Sequence, residues 1–92
     1  MAKLMYDGRI DFSDDLGCEE LELMQGWYSG QGDPLYALQS SGTLNREDLQ
    51  GAINNLSGSF KHMTDEEVAT AECLIATIEA AQKQFPMPDE ED

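Results

Sequence analysis

The chain has 92 residues, 40% of them hydrophobic, and its 19 acids against 5 bases give a formal net charge of −14. That length holds one domain around a single small core, and the apolar content is enough for a folded chain rather than a disordered one. The charge repels nucleic acid and anionic membrane surfaces and favours basic partners, many of which are nucleic-acid-handling proteins; solubility explains an acidic surface equally well.

Residues 4–12, LMYDGRIDF, read as two short extended pieces around Asp7-Gly8, a favoured two-residue hairpin turn because both positions tolerate positive φ. The first helix is expected to start near Ser13–Asp15 and run to about Ser29. Leu16, Leu21, Met24 and Tyr28 follow helical spacing, with Leu23 and Trp27 as an adjacent row. A second, short helix fits Asp33 to Ser41, with Asp33 as N-cap, Pro34 at the first helical position and Gly42 as the stop. In the third, Asn45 caps, Asp48 stands at N3, Leu44 staples onto Leu49, and Leu49, Ile53, Leu56 and Phe60 form the apolar stripe. The fourth opens on Thr64-Asp65-Glu66-Glu67, a full capping box with Met63 and Val68 as its staple. Val68, Ala71, Ile75, Ile78 and Phe85 line one face, Leu74 and Ala81 widen it, and Pro86 ends the helix. The expected fold class is therefore all-α: a bundle of three to four helices with a long C-terminal helix and a short N-terminal β-hairpin. Residues 1–85 make one domain, and 86–92 form a disordered acidic tail.

The stretch QGWYSGQGDPLYALQSSG, residues 25–42, is then the corner between the first and second helices. Trp27, Tyr28, Leu35, Tyr36 and Leu38 fold into the core beneath it, and the indole N–H and phenol O–H can reach loop carbonyls. A phosphate-binding loop is excluded, because the helix is entered through Asp33-Pro34 and no lysine lies between Lys3 and Lys61. Base stacking on these aromatics would need basic neighbours, and theirs are acidic. The run WYSGQGDPLYALQSSG, behind an acidic helix ending in LELMQGWY, resembles short proteins encoded by tailed bacteriophages. The resemblance spans residues 19–56. It implies a setting, the cytoplasm of an infected bacterium, and carries over no activity and no functional residue.

Little in the chain suggests catalysis. His62 is the one histidine and reads as a solvated loop residue ahead of the Thr64 cap. Cys18 and Cys73 stand in no metal or redox spacing; one disulfide or two thiols fit them equally. Asp11, Ser13, Asp15, Gly17, Glu19 and Glu22 fall at positions 1, 3, 5, 7, 9 and 12 of a calcium loop, but Leu16 occupies the position that requires glycine, so no metal is expected. No cofactor is expected either. No run approaches the roughly 18 apolar residues of a membrane span, and the N-terminus lacks the apolar run of a signal peptide.

The acids are the remaining signal. Residues 11–22 carry six of them and no base, and on a helix Asp15, Glu19 and Glu22 form one row, a spacing of negative charge like that of a phosphate backbone. Asp65, Glu66, Glu67, Glu72 and Glu79 form a second group along the last helix, where the first three also serve as capping residues. The expected function is a small acidic phage-type protein that binds and inhibits a basic, nucleic-acid-handling host protein, mimicking nucleic acid without contacting it directly. Asp14, Asp15, Glu19, Glu20 and Glu22 would form the contact face, and Met24, Trp27 or Tyr36 would supply exposed apolar specificity. The alternative is a homodimeric helical scaffold that pairs through spare apolar surface on the last helix.

Overall fold

The computed structural model describes residues 2–28 and 30–85. The expected acidic tail at 86–92 lies outside them. In chain order the elements are strands β1 (Lys3–Leu4) and β2 (Arg9–Asp11), helices α1 (Cys18–Trp27) and α2 (Pro34–Ser41), strand β3 (Thr43–Asn45), helix α3 (Leu49–Gly58) and helix α4 (Asp65–Gln84). Single 3-10 turns at Arg46–Asp48 and Phe60–His62 precede α3 and α4. The fold is mostly helical but not all-α. A three-stranded antiparallel sheet, ordered β1-β2-β3, joins the N-terminal hairpin to a strand over 30 residues further on, with Ile10 opposite Leu44 and Leu4 opposite Ile10.

The hairpin forms where expected, with a different turn. Gly8 N–H donates to the Met5 carbonyl at 3.0 Å and Met5 N–H to the Arg9 carbonyl at 2.7 Å, so the connection runs Tyr6-Asp7-Gly8. Within this loop only Gly8 takes positive φ, at 93°, and among the described residues no non-glycine residue does. A three-residue loop ending on a left-handed glycine needs no second positive φ, which an aspartate would adopt at some cost.

Helix α1 is shorter than its periodicity predicts. The Asp11 carboxylate accepts the Ser13 N–H at 2.8 Å, and Asp15 N–H bonds to the Phe12 carbonyl at 2.8 Å, so 12–15 is a turn anchored by the fully buried Phe12. The helix starts only after Gly17, whose N–H donates to the Glu20 carboxylate at 2.9 Å. It ends at Trp27, two residues before the expected end; Ser29 is outside the described residues.

Helices α2 and α4 match the sequence closely because their signals are local. Asp33 caps α2, accepting the Leu35 N–H at 2.9 Å, and Gly42 ends it with φ 75°. Thr64 and Glu67 make the reciprocal capping box of α4, at 3.2 Å from Glu67 N–H to the threonine hydroxyl and 2.9 Å from Thr64 N–H to the glutamate. Near α3, Asn45 does not cap as expected. It closes β3, and its amide donates to Asp48 at 3.5 Å.

One core gathers Ile10 and Phe12 from the hairpin, Leu23 and Met24 from α1, Leu35 and Leu38 from α2, and Leu44 from β3. Leu49, Ala52, Ile53 and Leu56 of α3 and Ala71, Leu74, Ile78 and Ala81 of α4 complete it. Helix α4 packs against α1 and α3, while α2 bridges α1, α3 and β3. Each fully buried Leu or Ile contributes about 1.5–3 kcal/mol by leaving water.

Candidate functional site

An open cleft of about 480 Å³ lies between α1 and α4, lined by Glu19, Glu22 and Leu23 from the first and Glu66, Glu67, Ala69 and Thr70 from the last. Two acidic groups more than 40 residues apart in sequence thus meet across one groove, with no base among its lining residues. Leu23, buried in the core, and Ala69 give the groove an apolar component, so a long cationic side chain could lay its stem there with its head among the carboxylates.

The carboxylates are not equivalent. Glu67 is committed to the fold: one oxygen takes the Thr64 N–H at 2.9 Å, and the other lies 3.5 Å from the Trp27 indole nitrogen, which donates to it. This contact is also where the Trp27 N–H goes, instead of to a loop carbonyl. Glu19 and Glu66 are exposed, as is Glu22, and among the described hydrogen bonds none uses their carboxylates.

The expected contact residues divide accordingly. Glu19 and Glu22 come together on the cleft. Asp15 precedes the helix, so the expected row of Asp15, Glu19 and Glu22 shortens to the last two. Glu20 turns back to the Gly17 N–H. Asp14 pairs with Lys3 at 3.3 Å, both side chains largely exposed, a base brought in from the hairpin that no reading of 11–22 alone contains. Met24 is fully buried, and its expected role as an exposed contact is corrected: α1 packs against α2 and α4, and Met24 belongs to the core these helices share. Trp27 and Tyr36 are partly buried. Tyr36 stacks edge-on against Tyr28, with ring centroids 5.0 Å apart at 79°, so both rings serve the corner between α1 and α2.

In sequence, Glu66 and Glu67 stand first as capping residues of α4. Glu67 does close the capping box, whereas Glu66 lies on the cleft beside α1, a proximity that only the α1–α4 packing creates. The large exposed apolar side chains among the described residues are Leu4 and Tyr6 of the hairpin, and nothing in the local sequence marks them as exposed.

Elsewhere, Asp7 and Asp11 are held below the ordinary carboxylate pKa, chiefly by the backbone N–H groups of Arg9 and Ser13 that they accept. Cys18 and Cys73 are free and exposed. Among the described residues no three His, Cys, Asp or Glu side chains converge as a metal site, and Glu19 and Glu22 lie on a regular helix rather than a loop. No described helix is long and apolar enough to cross a membrane. No protein-family model, curated protein or solved structure matches the chain.

Proposed function

We propose that this chain is a small acidic interaction protein of phage type that binds a basic, nucleic-acid-handling host protein in the bacterial cytoplasm and blocks it by occupying its charged surface. The observation that supports this reading is the α1–α4 cleft, where Glu19, Glu22, Glu66 and Glu67 face a groove without a compensating base among its lining residues. Opposed carboxylates of one sign make the local potential more negative, steer a basic surface into encounter and disfavour anionic competitors. Within the groove, Glu19, Glu22 and Glu66 recognise, and Glu67 supports.

The test is retention of proteins from bacterial lysate by the wild-type chain and by the triple variant Glu19→Gln, Glu22→Gln, Glu66→Gln, each washed at low and moderate salt. A basic nucleic-acid enzyme held by the wild type, lost by the triple variant and weakened by salt is the expected result. Equal recovery by both chains would reduce the acids to solvation.

A further inference from the structure

Tyr6 is fully exposed, at 103% of the reference area, and Leu4, in the edge strand β1, is 45% exposed. The other aromatic residues described, Phe12, Trp27, Tyr28, Tyr36, Phe60 and Phe85, are buried or half-buried. The turn that carries Tyr6 is braced from below. The Asp7 carboxylate accepts the Arg9 backbone N–H at 3.1 Å and its Nε at 2.9 Å, and Arg9 Nη1 reaches Thr43 Oγ1 on β3 at 3.4 Å. Gly8 sets the turn with its positive φ. The ring is thus presented on an ordered tip, so little turn entropy remains to be lost when a pocket closes over it.

The occupant follows from charge and area. A second copy is disfavoured, because both chains carry −14 and an edge strand of only two residues offers far less than the roughly 1,200 Å² of a stable interface. A basic surface is drawn to this molecule instead. The Lys3–Asp14 contact also holds the hairpin against the corner that leads into α1, the helix carrying Glu19 and Glu22. We propose that the β1–β2 hairpin is the anchor of the complex: Tyr6 inserts into an apolar pocket beside the partner's basic surface, with the exposed Leu4 of the same hairpin adding apolar contact. The inference rests on the charge-led reading above and adds the element that sets residence time, since acids on the rim govern encounter and a desolvated aromatic governs dissociation.

The test uses the full chain and the basic protein that it retains, purified. A photo-crosslinking p-benzoylphenylalanine is placed at position 6 in one variant and at the exposed position 54 of α3 in another. Dissociation is measured for Tyr6→Ser and Leu4→Ser, whose folding is checked by circular dichroism. Expected are an adduct with the basic protein from position 6 and none from position 54, and dissociation from Tyr6→Ser at least about ten-fold faster with an unchanged association rate. Unchanged dissociation with no adduct from position 6 would remove the anchor while leaving the charge-led reading standing. An adduct joining two copies of the chain would make the hairpin a self-association surface and overturn the proposal. A wild-type chain that retains no basic protein would overturn both readings.

Discussion

Gly42 shows how much one residue carries here. Its φ of 75° closes α2, its N–H donates to the Leu38 carbonyl at 2.8 Å, and its carbonyl accepts the Phe12 N–H at 2.8 Å, prolonging the β2–β3 pairing beyond the strand. A Cβ there would also sit 3.4 Å from that of Ser13. Gly42→Ala should therefore cost about 1–2 kcal/mol, the price of a left-handed L-residue, seen as a lower urea midpoint at unchanged slope. Gly32→Ala is the control, since its φ is not positive and nothing approaches its Cβ position within 4 Å. Asp33 is comparable in density of contacts: 8% exposed, it caps α2 through Leu35 N–H and accepts the Asn55 amide at 2.7 Å, tying α2 to α3. The cap was legible from Asp33-Pro34. The Asn55 bond was not, because it depends on the angle between two helices.

At the scale of elements, β3 separates local signal from tertiary outcome. Leu44 reads in sequence as the staple of α3, but it lies in β3 opposite Ile10 and is 1% exposed. Leu44→Ala should then destabilise the chain by about 2–5 kcal/mol, as for a core leucine, against about 0.3–1.5 kcal/mol for a lost staple. Chemical denaturation distinguishes the two. Three residues carry no measurable alternation, so β3 exists only because β2 offers a paired edge from the far end of the chain. The start of α1 has the same origin. Helical periodicity continues back through Leu16, but Phe12 in the core and the Asp11–Ser13 hydrogen bond bend residues 12–15 into a turn before helix can begin. Capping boxes and Asp-Pro entries survive this competition because their hydrogen bonds close within four residues.

For the whole molecule, charge is the dominant tension. The pairs Lys3–Asp14 and Arg9–Asp7 are both exposed, so solvent and salt screen them and each adds little to stability. Against them stands the self-repulsion of a chain at −14. Raising sodium chloride from about 0.01 M to about 0.15 M shortens the screening length from about 30 Å to about 8 Å. The melting temperature should rise over that interval; a fall would mean that the exposed pairs outweigh the repulsion. The same salt that stabilises the free chain weakens a charge-led complex, so the two effects are separable in one titration series.

The charge, the four helices, the caps of α2 and α4 and the existence of the hairpin are all legible in the amino-acid order, because each rests on composition or on contacts a few residues long. That a third strand joins the hairpin, that Met24 turns inward and that Glu66 shares a groove with Glu19 and Glu22 emerge only once the chain is packed. Packing also leaves Tyr6 standing clear of the surface. These depend on which faces pack against which, and packing is set by distant partners competing for one small core.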